Sequence, residues 1–402
     1  MGRELSARCG TLPPRFGYCT NVHAGADLAS MQANLAEHAL AVRRQVGGDP
    51  AAPGDEKMGV GLWLAAPAAR ALRQGEAAAE LGHWLADHGL LPFTLNGFPY
   101  GDFHQPVVKH RVYEPNWLET ARLEYTLDLV HVLDRILPPG EAGSISTLPL
   151  AWGKPAPGTD QLQQAAAHLR QVAAELARLE AETGRHITLA LEPEPGCVLQ
   201  RSEDVVRLFE DHLLSDDDAD TVRRYLSVCH DVCHAVVMCE DQVEVLQRYR
   251  AAGIRVGKVQ VSSAVCVDFQ QLEPAQRPDA VAQLRAFAED RYLHQTTVTP
   301  TDGQTKFYED LPLALAGIDD ATRLTSSWRI HFHVPVYLSE FGRLGTSRSA
   351  ILECLAECRR HADVAHFEVE TYAWGVLPAE LKQATLADGI AKELTWFAGQ
   401  QI

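Results

Sequence analysis

The stretches Leu191-Glu192-Pro193-Glu194-Pro195 and His230-Asp231-Val232-Cys233-His234 decide the fold of this chain. Each follows a short apolar segment, residues 187–191 in the first case and 226–229 in the second. Charged residues at the carboxyl end of a buried strand, repeated from one strand–helix unit to the next, are typical of the active face of a (β/α)8 barrel. A carboxylate from one strand and an Asp-x-x-His from the next are also the ligands that a divalent metal requires.

The overall charge restricts the class of partner. The chain has 402 residues and a formal net charge of -17, which repels phosphate backbones. We therefore expect no nucleic-acid partner. The longest apolar runs are too short to span a bilayer, so no membrane span is expected. The first residues lack an apolar signal core, and the nine cysteines lack a paired Cys-x-x-Cys set, which predicts buried thiols in a cytoplasmic protein.

Strand-length apolar segments alternate with longer helical patterns, and this alternation predicts a parallel sheet with helices outside it. The candidate strands are residues 16–23, 59–64, 92–98, 144–150, 187–192, 226–231, 256–261, 330–336 and 365–370. A helix is predicted over residues 160–183, which Gly184 ends, and another over residues 242–252. A third helix is predicted to begin after an N-cap at Ser202, and a fourth to begin near Ala379.

Nine candidate strands are one more than a barrel of eight needs. Residues 262–328 show weak periodicity, so we interpret a segment of roughly 264–336 as an insertion over the barrel mouth. Residues 330–336 then form an extra strand or an extended loop. No linker divides the chain, and we expect one barrel domain over residues 1–402.

Several predicted strand ends carry polar side chains. They are Glu192 and Glu194, Asp231 and His234, Lys258 and Gln260, His331 and His333, and Glu368 and Glu370. Each has a structural alternative: a lone Glu after a strand is often a helix cap, and His331 and His333 could be hydrogen-bonded core histidines. The recurrence of acids at three strand ends favours a functional site, because one fold has one active face. A mostly apolar strand would not bury Glu368 and Glu370 without a partner.

These residues resemble the xylose-isomerase-like TIM-barrel superfamily of sugar isomerases, epimerases and related metal-dependent endonucleases. The resemblance covers roughly residues 192–374 and rests on Leu-Glu-Pro-Glu-Pro, Asp-x-x-His and a final Glu. More narrowly, segments 17–23, 94–102, 331–335 and 368–374 resemble the EboE family. EboE proteins are barrel proteins of the bacterial Ebo gene cluster and are described as metabolite traffic proteins.

The resemblance implies a site for a divalent metal, Mn, Mg or Zn, and two catalytic glutamates, Glu192 and Glu370. The implied metal ligands are Glu192, Asp231, Gln260 and Glu370. Gln260 departs from the pattern, because the superfamily has a His there and an amide oxygen is a weaker ligand than imidazole. Either the site takes a harder metal, or His333 supplies the nitrogen, or metal binding is lost; we favour Gln260, because it lies on a barrel strand.

The implied function is a metal-dependent isomerase or epimerase acting on a sugar or cyclitol-type metabolite. Other proteins of the same gene cluster are implied partners. The predicted substrate-binding residues are Asn21, His23, Asn96, His234, Lys258, His333 and Trp374, with packing under the last loop as the alternative for Trp374. A non-catalytic binding or trafficking protein is the second hypothesis. A phosphodiester-cleaving relative is disfavoured, because it requires a basic groove and more His ligands.

Overall fold

The predicted alternation closes into a barrel of eight parallel strands, so the (β/α)8 fold is confirmed. The computed structural model describes residues 14–47, 57–214, 217–301, 303–317 and 325–400. The barrel strands are β1 Arg15–Cys19, β2 Met58–Trp63, β3 Leu90–Asn96, β4 Gly143–Thr147, β5 Ile187–Leu191, β6 Leu226–Asp231, β7 Val256–Val261 and β14 His366–Val369. They follow the order β1-β2-β3-β4-β5-β6-β7-β14, and β14 pairs with β1 to close the barrel.

Helices surround the barrel in the order that the sequence predicts. The α-helices are Leu28–Asn34, Leu40–Gln45, Ala66–Leu72, Ala77–Asp87, Thr120–Ile136, Thr159–Thr183, Ser202–Leu208, Ala219–Tyr225, Val232–Val237, Gln242–Ala251, Arg277–Arg285, Leu311–Gly317, Arg348–His361 and Leu386–Ala398. Single π turns, Leu35–Ala39 and Phe209–Leu213, lie within the helical segments. Among the described helices, none is both long and apolar enough to cross a membrane.

Two predicted helix starts are wrong. The cap before helix Ser202–Leu208 is Arg201, whose backbone N–H donates to Asp204, while the Ser202 hydroxyl donates to Glu240 instead. Near Ala379 only a 3-10 turn forms, Ala379–Leu381, and the last α-helix begins at Leu386. At the first start, Glu240 accepts from the Ser202 backbone N–H and hydroxyl, and at the second, Thr385 and Asp388 form the capping box that begins the last helix.

The segment between β7 and the last barrel strand folds into an antiparallel sheet of its own. Its strands are β8 Val265–Asp268, β9 Thr296–Thr299, β10 Lys306–Tyr308, β11 Ser327–Ile330, β12 Glu340–Phe341 and β13 Leu344–Thr346, in the order β10-β9-β11-β8-β13-β12. Residues 331–335 leave β11 without joining a strand, so the extended-loop alternative holds for them.

The insertion sheet packs on the mouth of the barrel. Its buried side chains, among them Trp328 and Phe332, share one apolar cluster with Trp63 at the end of β2 and with Phe103 and Trp374 from the barrel loops. A separate and larger cluster fills the space between the barrel strands and the outer helices. The mouth is therefore covered on one side by the insertion, and the segment after β11 is brought over the strand ends.

Candidate active site and metal centre

A cavity of about 600 Å³, including its open mouth, lies where the barrel strands end beneath the insertion. Its polar lining consists of Asn21, Asn96, Lys109, Tyr113, Glu192, Glu194, His234, His331, His333 and Glu370. Its apolar and aromatic lining consists of Phe98, Pro99, Phe103, Val108, Val112, Tyr292, Leu293 and Tyr372. The cavity therefore combines carboxylates and imidazoles with an extensive apolar wall, as ligand pockets do.

Three carboxylates from three barrel strands meet at this cavity, whose lining includes Glu192 and Glu370 but not Asp231. Glu192 follows β5, Asp231 ends β6 and Glu370 follows β14, and one oxygen of each lies within 4.8 Å of the others. Backbone hydrogen bonds hold the two glutamates, from Glu192 N to the Thr147 carbonyl and from Glu370 N to the Val261 carbonyl. The sequence prediction that these acids lie together thus agrees with the structure.

Burial and mutual repulsion act on the protonation of these acids. Burial, with Glu370 and Asp231 close by, raises the pKa of Glu192 well above its usual value. Burial and the neighbouring Asp231 raise the pKa of Glu370 to about 8, although Asn21 donates to its Oε1 at 2.6 Å. Burial also raises the pKa of Asp231. A bound cation would stabilise the ionised forms of these three carboxylates.

His333 reaches the same acids from the inserted segment. Its Nδ1 lies 2.9 Å from the Glu370 carbonyl oxygen, which only accepts hydrogen bonds, so Nδ1 carries the proton. Its Nε2 is buried without a partner and lies 3.9 Å from the Asp231 Oδ2, which is also buried without a partner. Burial lowers the pKa of His333 to about 4. A neutral imidazole nitrogen and a free carboxylate oxygen therefore face each other across a short gap.

His234 belongs to the helix that begins after Asp231. The Asp231 side chain caps this helix, because its Oδ1 accepts from the His234 backbone N–H at 2.8 Å and from the Ser262 hydroxyl at 2.8 Å. The His234 Nδ1 lies 2.9 Å from the Pro193 carbonyl oxygen and 3.9 Å from Glu192 Oε1. The Asp-x-x-His spacing thus produces both a capped helix start and a ring over the carboxylates.

Gln260 and Lys258 lie beneath the cavity, in the barrel interior, and neither lines it. Lys258 Nζ is 2.5 Å from Glu368 Oε2, and both side chains are fully buried. Asn96 Oδ1 accepts hydrogen bonds from Lys258 at 3.1 Å and from Gln260 Nε2 at 3.0 Å. The Gln260 Oε1 is buried without a partner. Lys258 is thus the partner that the buried Glu368 requires, and the structure does not bring it to the cavity as a substrate contact.

Two other predicted substrate contacts also lie elsewhere. His23 sits behind the cavity, where its Nε2 is 3.2 Å from the Tyr18 hydroxyl and its ring stacks on His38. Trp374 packs in the apolar cluster of the insertion, and its Nε1 donates to Glu393. The packing alternative therefore describes Trp374, while its neighbour Tyr372 lines the cavity.

Only part of a second polar group in the cavity was predicted from the sequence. Glu194 Oε1 accepts from the Tyr113 hydroxyl at 2.8 Å and from Gln295 Nε2 at 2.9 Å, and its Oε2 is buried without a partner. Gln295 Oε1 lies 2.7 Å from His331 Nδ1. Burial raises the pKa of Glu194 to about 8. Tyr113 and Gln295 come from segments without a periodic pattern, so no sequence signal marked them.

The residues present fit a divalent metal. Glu192, Asp231 and Glu370 supply oxygen, and two unpartnered buried atoms, Asp231 Oδ2 and His333 Nε2, require a partner that no described side chain provides. Gln260 Oε1 is also buried without a hydrogen-bond partner, and its side chain, like that of Asp231, does not line the cavity. Oxygen ligands with one imidazole suit Mn, Mg or Zn.

The fold and the site together define a (β/α)8 barrel with a buried carboxylate–imidazole cavity at the strand ends. In comparisons of the sequence with protein-family models and with curated proteins, nothing matches. Among solved structures, 3-keto-D-glucoside 4-epimerase from E. coli has a TM-score of 0.46 at 11% identity over 96% of this chain and 99% of that one. A D-tagatose 3-epimerase-like protein has a TM-score of 0.48 at 12% identity, over 96% of both chains.

A further solved structure is a xylose isomerase-like TIM-barrel protein from Mycobacterium smegmatis in complex with magnesium. It has a TM-score of 0.42 at 11% identity, over 69% of this chain and 89% of that chain. Identities this low describe a likeness of fold alone.

Proposed function

We propose that this chain is a metal-dependent isomerase or epimerase of the xylose-isomerase-like kind, acting on a sugar or cyclitol-type metabolite. The observation that carries the proposal is the meeting of Glu192, Asp231 and Glu370 within 4.8 Å in a buried cavity. Two glutamates on opposite sides of such a site can remove a proton from carbon and return it. Asp231 ends β6, one of the two strands between β5 and β14, and serves as a ligand.

The protonation of the glutamates suits proton transfer near neutral pH. A general base works best when its pKa lies near the working pH, and burial brings the pKa of Glu370 to about 8. Each carboxylate has two oxygens, so one can bind a metal while the other faces the substrate. The Asn21 amide orients Glu370 by donating to its Oε1.

The metal ligands we propose are Glu192, Asp231, Glu370 and His333. His333 takes the place that the sequence analysis gave to Gln260, because its free Nε2 faces Asp231 from within the cavity lining. A divalent metal in this position supplies Lewis-acid stabilisation of negative charge on substrate oxygens. The chain itself holds the substrate in a water-poor cavity, where Asn21 Oδ1 is buried without a hydrogen-bond partner and can accept from a substrate hydroxyl.

A binding or trafficking protein without turnover is the second candidate. It is favoured by Gln260, which stands where the superfamily has a His, and by the apolar share of the cavity wall. The resemblance to EboE proteins adds that the metabolite belongs to an Ebo-type biosynthesis or trafficking system, with partners from the same gene cluster.

The proposal predicts proton exchange at a carbon next to a carbonyl. We expect the Mn-loaded protein, incubated in heavy water with a panel of ketoses, aldoses and inososes, to incorporate deuterium that NMR detects. Glu192→Gln and Glu370→Gln should each reduce the exchange rate by about 100-fold or more, because each removes a proton acceptor.

Glu393→Gln is the matched control for these variants, because Glu393 is equally buried but lies outside the cavity lining. It should leave the exchange rate within a few-fold of the parent. Unchanged exchange in both Glu192→Gln and Glu370→Gln would contradict the assignment of the two glutamates. Saturable binding of a panel member with no exchange in the parent would identify a binding protein instead.

A further inference from the structure

Two histidines in the cavity face each other through the same ring nitrogen. His234 Nε2 lies 3.3 Å from His331 Nε2, and both rings are buried. A hydrogen bond across this gap requires one of the two nitrogens to carry a hydrogen. The partners of the other ring nitrogens decide whether either does.

Each Nδ1 faces an oxygen that can only accept. For His234 this atom is the Pro193 backbone carbonyl at 2.9 Å. For His331 it is Gln295 Oε1 at 2.7 Å. The orientation of the Gln295 amide is fixed independently, because its Nε2 lies 2.9 Å from Glu194 Oε1 and 3.3 Å from the Pro195 carbonyl, and both of these atoms need a donor.

Both neutral rings therefore carry their hydrogen on Nδ1 and direct a lone pair from Nε2 towards the other ring. Two lone pairs at 3.3 Å repel each other unless a positive centre lies between them. Two nitrogen ligands of a tetrahedral zinc ion, each about 2.0–2.1 Å from the metal, are about 3.3 Å apart. The observed separation of the two Nε2 atoms thus matches a pair of zinc ligands.

Glu194 completes a three-residue ligand set. One carboxylate oxygen of Glu194 and one ring nitrogen each of His234 and His331 lie within 4.8 Å of one another, and Glu194 Oε2 is buried without a partner. The carbonyl and amide that fix the two imidazoles are the kind of supporting contacts that metal-bound histidines make. None of these three residues is a ligand of the carboxylate centre proposed above.

We propose that Glu194, His234 and His331 form a second metal site, selective for zinc-class ions over magnesium. Two imidazoles and one carboxylate suit zinc, whereas magnesium prefers oxygen ligands throughout. Three protein ligands leave the fourth position of a tetrahedral ion open. All three residues line the cavity, so the open position takes an anionic or hydroxyl group of the substrate.

The experiment measures zinc content and geometry directly. The full chain is stripped with a chelator, reloaded with zinc or Co²⁺, and analysed by elemental analysis, calorimetry and visible absorption. We expect two zinc ions per chain and a set of Co²⁺ bands from a four-coordinate site with two imidazoles, distinct from those of the carboxylate centre with its single imidazole. His331→Ala should remove these bands and weaken one zinc site by more than about 100-fold, beyond what loss of a supporting group costs.

Glu370→Gln is the reciprocal variant and should weaken the other ion while the four-coordinate bands remain. Glu194→Gln keeps the volume of the side chain and tests the site if His331→Ala fails to fold. The control is His110→Ala, since His110 is half exposed and outside the cavity lining, and it should bind both ions.

Each outcome supports or overturns at least one of the two proposed metal sites. A single ion that Glu370→Gln loses and both His331→Ala and Glu194→Gln retain overturns the second site and leaves the proposed function standing. A single ion that His331→Ala loses and Glu370→Gln retains supports the second site and overturns the carboxylate centre. A protein that binds no zinc overturns both.

Discussion

At the scale of single residues, the competition between His333 and Gln260 for the metal can be tested. His333 Nε2 lies in the cavity 3.9 Å from Asp231, whereas Gln260 lies below the lining and already donates to Asn96. We expect His333→Ala to weaken Mn or Zn binding by at least about 10-fold, because imidazole is the stronger ligand. Gln260→Ala should change the affinity less.

Calorimetry on the metal-free protein measures the metal affinity of both variants. His23→Ala provides a histidine control behind the cavity, where it stacks on His38. If Gln260→Ala proved the more damaging variant, the amide would be the ligand, as the sequence alone suggested. Loss of small-molecule binding in both variants, with metal affinity intact, would place both residues in a ligand-binding site instead.

The site residues that the sequence predicted correctly are those whose positions follow directly from an adjacent barrel strand. Glu192, Asp231 and Glu370 sit at strand ends, and parallel barrel strands present their carboxyl ends on one face. His23 and Trp374 also follow strands, but short 3-10 turns after β1 and β14 redirect the chain. The direction of a side chain after a strand depends on that turn, which the strand pattern does not specify.

At the scale of elements, strand β2 makes room for a buried charge by lacking a side chain. A Cβ at Gly61 would lie 1.4 Å from Glu368 Oε1. Glu368 pairs with Lys258 inside the barrel, so any displacement separates two fully buried charges. We expect Gly61→Ala to lower the free energy of unfolding by about 3 kcal/mol or more, measured by chemical denaturation.

Gly101→Ala is the control, since no atom lies within 4 Å of a Cβ built there. That exposed substitution should stay within about 0.5 kcal/mol of the parent. Equal stability of the two variants would show that the barrel interior around Glu368 can accommodate an added methyl group at little cost in stability.

The elements that escaped prediction are those held by contacts distant in sequence. The eight barrel strands alternate with helix-length segments, and this alternation predicts them. The insertion strands have two to four residues, and β11 lies between β8 and β9, so its neighbours come from two separate parts of the segment. Such short strands give almost no periodicity. The placement of His331 and His333 over the barrel mouth depends on this sheet.

At the scale of the whole molecule, buried acids couple stability to pH. Burial raises the pKa of Glu194 and of Glu370 to about 8 and that of Glu393 to about 7, from an ordinary value of 4.5. The folded protein thus keeps protons that the unfolded chain releases above pH 4.5. Their contribution to stability is complete below that pH and is lost as the pH rises through 7 to 8. For Glu393 the loss is about 3 kcal/mol at most.

We therefore expect the thermal midpoint of the chelator-treated protein to decrease as the pH rises from 7 to 8.5, above the range in which the histidines of the unfolded chain titrate. Excess Zn²⁺ or Mn²⁺ should reverse the trend, because metal displaces protons from Glu192, Asp231 and Glu370 and stabilises only the folded state. Glu393→Gln serves as the control: it should reduce the pH slope of the metal-free protein and leave the metal-induced increase intact, since Glu393 binds Thr371 and Trp374 away from the cavity. A metal-free midpoint that rises steadily from pH 7 to pH 8.5 would mean that these carboxylates are ionised in the folded protein.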